Sequence, residues 1–152
     1  MQIEEKNHLL KNPAKLTILS CGANVALTHL AAAVFAAQAD LTLSEIDEIK
    51  VAVSEAVSNA VIHGYGEAEL NNQIEMTMNL YDGFLEYIVT DHGHGIKDIK
   101  KARLPSETSD PERMGMGFVF MESFMDELEV KSKTSEGTTV IMRKKFKPKP
   151  KH

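Results

Sequence analysis

The sequence predicts an α+β fold: a two-layer sandwich in which a mixed, mostly antiparallel sheet is covered by helices on one face. Two observations predict it. Segments with an apolar residue at every second position come in pairs joined by tight turns, as in antiparallel strands. Segments with apolar residues three and four positions apart predict helices that each bury one face. Because antiparallel sheets commonly bury only one face, we expect all the helices on the same side.

The strands are predicted from alternation and from turn residues. Apolar and polar residues alternate from Ile74 to Leu80. Asp82-Gly83 then predicts a hairpin turn, and the segment after it is predicted to pair with the first as an antiparallel strand. The polar residues that end at Pro13 are expected to form a loose lead. The predicted strands are residues 15–20, 74–80, 84–90, 128–132 and 138–143.

Three helices are predicted. The first covers residues 23–40 and is rich in alanine, and the third is short and follows Gly115. The second runs from Thr42 to His63, because Thr42 and Glu45 form the Thr-x-x-Glu pattern of a capping box. Its predicted core face is Ile46, Ile49, Val53, Ala56, Val57 and Ala60.

Composition narrows the class of protein. The chain has 152 residues and a net charge of −5, so we expect one domain over residues 1–147 and no direct contact with nucleic acid. The basic residues 148–152 are expected to form a flexible tail. Cys21 is the only cysteine and no long apolar run is present, so a cytoplasmic protein without membrane contact is expected.

Two polar residues stand out in the second helix. Glu55 and Asn59 are four positions apart, so they lie on one helix face beside the apolar stripe. The simpler interpretation is that both side chains lie at the border of the apolar stripe and are solvated. The functional interpretation is that a carboxylate and an amide oxygen at this place hold a cation or move a proton.

Two glycine patterns follow downstream. Asp91-x-Gly93-x-Gly95 comes directly after a strand, and Gly115-x-Gly117 opens a helix. Glycines before a helix let backbone N–H groups approach a phosphate, whose charge the helix N-terminus favours. Asp91 can accept a hydrogen bond from an exocyclic amine. Taken singly, each pattern is better explained by a plain glycine-rich turn or by a helix start.

Together and in this order, the three patterns resemble the ATP-binding boxes of the GHKL superfamily. Residues 54–65, 113–118 and 121–126 are similar, more closely, to the anti-sigma F factors, which are small serine kinases of spore-forming bacteria. The resemblance covers about residues 24–140. It implies a homodimer that holds a sporulation sigma factor inactive and phosphorylates a serine of an anti-anti-sigma partner, with ATP, ADP and Mg²⁺ as cofactors.

The resemblance also implies roles for single residues. Glu55 matches the general base, Asn59 the Mg²⁺ ligand and Asp91 the adenine-binding aspartate. The full set of residues expected to contact the nucleotide is Asn59, Asp91, Gly93, Gly95, Ile96, Arg113, Gly115, Met116, Gly117 and Thr138.

Alternatives and departures remain at this point. His29 falls where close relatives carry an arginine that contacts the sigma factor, and the lid between Ile96 and Gly115 is slightly shorter than in those relatives. A stress-response switch kinase, of the sigma B type or a stressosome partner, and a non-catalytic ATP-gated binding module are the alternative functions. A zinc site at His63, His92 and His94 lacks a Cys or acidic ligand at suitable spacing.

Overall fold

The computed structural model describes residues 9–64, 72–93, 95 and 114–147, with the backbone alone at residues 63, 64, 114 and 115. The strands are β1 (Leu10–Leu19), β2 (Gln73–Tyr81), β3 (Phe84–Asp91), β4 (Glu127–Lys133) and β5 (Gly137–Lys145). The α-helices are α1 (Val25–Ala36), α2 (Leu43–Asn59) and α3 (Met114–Phe124). A 3₁₀ turn (Gly22–Asn24) precedes α1, and a π-helical turn (Ala60–Gly64) continues α2.

The five strands form one sheet in the order β1-β2-β3-β5-β4. Every strand pair in the described ranges is antiparallel. Both predicted hairpins are present, and Gly83 at the β2–β3 turn has the positive φ, 101°, that this turn favours. The predicted α+β sandwich is confirmed.

Helix α2 is the centre of the helical layer and packs against both α1 and α3. Its predicted core face is confirmed: Ile49, Val53, Ala56, Val57 and Ala60 are buried, and Ile46 is half-buried against the same core. This stripe places the polar side chains of Glu55 and Asn59 at its edge.

Tyr87 joins α1 to the sheet. Its hydroxyl donates a hydrogen bond of 2.8 Å to the carbonyl oxygen of Ala32, and its ring meets Phe35 edge to face. Burial raises the pKa of Tyr87, so the hydroxyl keeps the proton that it donates.

The start of β1 was predicted wrongly. The strand begins at Leu10 and not at Lys15, so residues 10–13 belong to the sheet and not to a loose lead. Pro13 pairs with Asn79 of β2. Because β1 is an edge strand, it needs hydrogen bonds on one side only, and an edge tolerates the missing N–H of a proline.

Helix α1 is shorter than predicted. It ends at Ala36 and not near residue 40, and the 3₁₀ turn replaces its expected first residues. The alanine-rich character has a packing cause, because Ala32 and Ala36 are fully buried and allow α1 to approach the core closely.

The buried amine of Lys144 on β5 joins three elements. It donates to the carbonyl oxygen of Phe124 at the end of α3, at 2.6 Å, and to the Glu48 carboxylate on α2, at 3.1 Å. The last carbonyls of a helix have no partner within the helix, so this bond satisfies one of them and holds the end of α3.

The capping box at the start of α2 generates a stability prediction. Glu45 N–H donates to Thr42 Oγ1 at 3.1 Å, and Thr42 N–H donates to Glu45 Oε1 at 3.0 Å. Thr42→Ala removes the first bond and should lower the free energy of unfolding by about 1 kcal/mol in urea denaturation. Thr42→Ser keeps the oxygen and is the matched control, expected to stay close to wild type.

The contribution of this capping box to the free energy of unfolding depends on pH. The hydrogen bond from the Thr42 backbone lowers the pKa of Glu45 from its ordinary value of 4.5. The contribution of Glu45 to stability is therefore present above that value and is lost as the pH falls through the lowered one. The stability gap between wild type and Glu45→Ala should narrow on acidification, and a gap that widens would contradict the assignment.

Candidate functional site

The candidate site lies where β3 and β4 end and β5 begins. The π-helical turn after α2 contacts both β3 and β5. The antiparallel register brings Asp91 of β3 opposite Thr138 of β5, and Thr138 opposite Ser132 of β4. The site is therefore built from the C-terminal half of α2, the first turn of α3 and one end of the sheet.

Glu55 and Asn59 lie side by side against the first turn of α3. A Cβ atom added to Gly117 would stand 3.1 Å from Glu55 Oε2, 3.1 Å from Asn59 Nδ2 and 3.4 Å from Asn59 Oδ1. Gly117 is buried, and these contacts are with side-chain atoms of both predicted residues. The structure brings together Glu55 and Asn59 of the first motif and Gly117 of the third.

One buried polar atom in this group makes no hydrogen bond within the described part of the chain. Asn59 Nδ2 is buried and has no hydrogen-bond partner in the part of the chain that the structure describes. Buried polar groups are normally satisfied, so an orphaned amide beside a carboxylate indicates a place where a ligand supplies oxygen atoms.

Asp91 lies at the end of β3 and is only 4% exposed. Its Oδ1 accepts a hydrogen bond of 2.9 Å from the backbone N–H of Gly93, which turns the chain away from the strand. Thr138, its cross-strand neighbour, is 9% exposed. Asp91 and Thr138 are thus adjacent, and their side chains point to the face that carries the helices, as do Val89 and Val140 two residues along.

Ser132 belongs to none of the three sequence motifs. Its hydroxyl lies 2.8 Å from Thr138 Oγ1 and donates to the carbonyl oxygen of Gly137 at 3.0 Å. No local sequence signal marks Ser132, because its place beside Thr138 comes from the pairing of β4 with β5.

Two glycines permit close approach at this end of the sheet. Gly137 has a φ of 96°, and a Cβ added to it would overlap the carbonyl oxygen of Asp91. Gly95 has a φ of 78°, and its Cβ would overlap the carbonyl oxygen of Lys133. Gly95 was predicted as part of the nucleotide loop, whereas Gly137 was assigned only to a hairpin.

The other predicted residues divide into two groups. Gly115 and Met116 lie in the first turn of α3, as expected for residues whose N–H groups have no partner inside the helix. Ile96, Arg113 and His94 lie outside the described residues, together with the rest of the predicted lid.

His29 on α1 is half-buried, and its Nδ1 lies 3.2 Å from the hydroxyl oxygen of Ser54 on α2. The ring is therefore engaged in part with the neighbouring helix. Ser54 directly precedes Glu55.

Comparisons with known proteins show the family of the chain. A family model described as a histidine kinase-like ATPase domain matches residues 21–144. The chain is 45% identical over 138 residues to the anti-sigma F factor of Clostridium novyi (strain NT), covering 90% of this chain and 96% of that protein. It is 42% identical over 139 residues to the anti-sigma F factor of Geobacillus stearothermophilus, covering 90% and 94%.

A solved structure of the RsbU and RsbW domains of a Mycobacterium tuberculosis protein is similar in fold, with a TM-score of 0.65 at 21% identity. The similarity covers 89% of this chain and 32% of that longer chain. Fold and site thus define a GHKL-type ATPase domain. The chain belongs to the histidine kinase-like ATPase family and, within it, to the family of the anti-sigma F factors.

None of the helices in the described ranges has the length and apolar character needed to cross a membrane.

The close contact at Gly137 predicts that Gly137→Ala destabilises the fold more than Gly83→Ala does. Gly83→Ala and Gly137→Ala both place a side chain at positive φ, but the nearest atom to a Cβ at Gly83 is the Phe146 carbonyl oxygen, 3.9 Å away. Only Gly137→Ala also forces the backbone at Asp91 to move. It should therefore cost about 1–3 kcal/mol more than Gly83→Ala in the free energy of unfolding. If both variants lose the same free energy of unfolding in urea denaturation, the close approach at Gly137 does not contribute to the cost.

Proposed function

We propose that this protein is an anti-sigma factor and an ATP-dependent serine kinase, which binds and inhibits a sporulation sigma factor and phosphorylates a serine of an anti-anti-sigma protein. The observation that carries the kinase part is the contact of Glu55 and Asn59 with the first turn of α3 at Gly117. The anti-sigma part rests on the identity with the anti-sigma F factors.

Glu55 has the chemistry of a general base. A serine hydroxyl must lose its proton as it attacks the γ-phosphoryl group, and a positioned carboxylate can accept that proton. Glu55 is half-buried on a helix whose apolar face is packed in the core, so its position is set by a rigid element. A module in which ATP only gates protein association has no need of a base at this place.

The residues present fit a magnesium ion. The side-chain oxygen of Asn59 is a hard ligand of the kind that Mg²⁺ takes, and the orphaned amide next to it points to a missing oxygen-rich partner. We propose that Asn59 holds Mg²⁺, which when bound supplies positive charge to the phosphate oxygens. The N–H groups of the first turn of α3, which includes Gly115, Met116 and Gly117, would favour the same negative charge.

The other end of the site fits a nucleobase. Asp91 and Thr138 are adjacent and largely buried where the sheet ends, and Gly93 and Gly95 carry the chain around them. We assign Asp91 to the exocyclic amine of adenine and Thr138 to the same end of the base. Ile96 and Arg113 complete the proposed nucleotide site, by the same family resemblance.

Helix α1 offers the surface for protein partners. Its outer face carries Leu27, Leu30 and Val34, which are 49%, 55% and 73% exposed. Together with Met78 of β2 they line an open groove. An apolar stripe of this kind on a small domain supports the proposed homodimer and sigma-factor contact, since exposed apolar patches commonly mark such interfaces.

The first functional prediction separates the two residues of α2. Glu55→Gln should keep the affinity for Mg²⁺-ATP but lower phosphoryl transfer to an anti-anti-sigma protein by roughly 10²–10⁴-fold, because the base is removed and the shape is kept. Asn59→Ala should weaken Mg²⁺-dependent binding as well. Single-turnover transfer from radiolabelled ATP and calorimetric titration with Mg²⁺-ADP measure the two effects.

Asp47→Asn is the matched control for this experiment, because Asp47 is a carboxylate on the same helix with a side chain that is 71% exposed. It should bind and transfer like wild type. A Glu55→Gln protein that transfers phosphate at the wild-type rate would refute the base role, and a wild-type protein that binds ATP without any transfer would favour the gated binding module.

The second functional prediction concerns the α1 surface. Leu30→Glu should weaken the homodimer and the complex with a co-expressed sigma factor by about tenfold or more, since a buried charge at an interface centre is unfavourable. Size-exclusion chromatography and sedimentation with ATP or ADP present measure both assemblies.

Leu43→Glu is the matched control, because Leu43 is 82% exposed and lies at the start of α2, away from the groove. It should assemble like wild type. A wild-type monomer that captures no sigma factor with either nucleotide would refute the anti-sigma assignment and leave the kinase assignment standing.

A further inference from the structure

Strand β4 is one of the two edges of the sheet. It pairs with β5, and no strand of the described ranges lies on its other side. The opposite edge, β1, carries Pro13 and an irregular register between Leu10 and Asn12, and both features hinder the addition of a further strand. β4 contains no proline, and its seven residues pair with β5 without a register shift. It is therefore the edge that can accept another strand.

The charged side chains of β4 follow a definite order of sign. Because side chains alternate along a strand, they lie on the face opposite the helices, whereas Leu128 and Val130 between them are half-buried against the core. Along the strand they read acid, acid, base, base: Glu127, Glu129, Lys131 and Lys133. An edge that is protected by charge alone needs no such order, since charges of either sign keep it solvated. This order is its own complement when the strand is reversed.

One antiparallel register pairs every acid of β4 with a base of a second copy. When Val130 lies opposite Val130 of the second copy, Glu129 lies opposite Lys131 on both sides of the two-fold axis, and the outer acid likewise meets the outer base. A shift of two residues in either direction places Glu129 or Lys131 opposite its own counterpart, which is unfavourable. An in-register parallel arrangement pairs each charge with its own kind. The charge order therefore selects a single register.

We propose that β4 pairs in this register with β4 of a second copy of the chain, so that two five-stranded sheets join into one continuous sheet. Main-chain hydrogen bonds supply the attraction, as in strand addition to an exposed edge, and the charges fix the register. The inference goes beyond the proposed function, because the contact needs neither nucleotide nor sigma factor. It also leaves the α1 groove accessible, since that groove is lined by Met78 of β2 in the other half of the sheet.

The new contact keeps the ion pair that each strand already has. Lys131 Nζ lies 3.6 Å from Glu129 Oε1, and both side chains are at least half exposed. An exposed pair of this kind contributes little by itself. Across the two-fold axis the two pairs form a ring of four charges of alternating sign, in which each charge gains a second opposite neighbour. Glu127 is already bound by Arg143 at 3.3 Å, so the central four charges carry the selection of register.

Charge reversal tests the pairing. Glu129→Lys leaves only bases at the centre of the contact, and Lys131→Glu leaves only acids, so each variant alone should weaken self-association through β4 by about tenfold or more. An equimolar mixture of the two variants again places opposite charges in every pair and should associate as their parent does. Sedimentation equilibrium over a range of protein concentrations gives the Kd values, in a Leu30→Glu parent that removes the proposed α1 contact.

Lys15→Glu is the matched control for charge reversal. Lys15 is an exposed charge on β1, the other edge strand, and forms an ion pair of 3.3 Å with Glu75. Because this pair lies at the far side of the sheet from β4, the variant should associate as its parent does.

A disulfide reports the register directly. In a Cys21→Ser background, which removes the only native cysteine, Val130→Cys places two thiols opposite each other on the two-fold axis and should form a covalent dimer under mild oxidation. Leu128→Cys is the matched control, because this residue is half-buried on the same face but lies opposite Ser132 of the second copy. Its thiol is too far from its counterpart, so it should stay monomeric on a non-reducing gel.

The results that overturn the inference are distinct from those that overturn the proposed function. A Leu30→Glu protein that shows no self-association at millimolar concentration overturns the inference. So do charge-reversed variants that associate as their parent does, a mixture as weak as either variant alone, or cross-linking of Val130→Cys no faster than that of Leu128→Cys. Because these measurements contain no nucleotide and no sigma factor, failure of the proposed kinase or anti-sigma activity leaves the inference standing, and the reverse holds equally.

Discussion

The close approach of α3 to α2 is the constraint on which the rest of the site depends. A Cβ atom at position 117 would stand 3.1 Å from side-chain atoms of both Glu55 and Asn59, so a larger residue requires these two side chains to shift. The two polar residues are held there by the adjoining face of α2, whose apolar stripe is buried in the core. The same helix thus gives the core its central element and the proposed site two of its polar side chains. The far end of α3 is held by the Lys144 amine, which bonds the Phe124 carbonyl and connects it to α2 through Glu48. With Phe118 and Met121 buried between these ends, α3 has little freedom to withdraw its first turn from Glu55.

Features encoded in a few neighbouring residues could be predicted from the sequence. The capping box of Thr42 and Glu45 and the turn at Asp82-Gly83 each depend on contacts within four residues, and both are present. The spacing of Glu55 and Asn59 is equally local, since a helix places residues four apart on one face. The start of β1 was wrong because Pro13 disfavours a strand in general, whereas an edge position next to β2 tolerates it.

Features that depend on pairing between distant segments could not be predicted. The row of Asp91, Thr138 and Ser132 joins three strands, and a register shift of one residue would turn every one of these side chains to the other face. The close contact of Gly137 with the Asp91 backbone is of the same kind, since a hairpin glycine alone carries no sign of what lies beside it. The burial of Ala32 and Ala36 on α1 likewise became evident only from the packing, and it left Leu30 and Val34 on the outer face.

The two ends of the site differ in whether their polar side chains are hydrogen-bonded within the chain. At the sheet end, the hydroxyl groups of Ser132 and Thr138 and the carboxylate of Asp91 all have hydrogen bonds within the chain, so this end is organised before a ligand arrives. At the α2 end, Asn59 Nδ2 is buried without a partner among the described residues, and such an atom costs about 1–3 kcal/mol. A stable domain tolerates that cost where a bound ligand offsets it. In the proposed function, the sheet end is thus organised before a base binds, and the α2 end gains free energy when phosphate and cation bind.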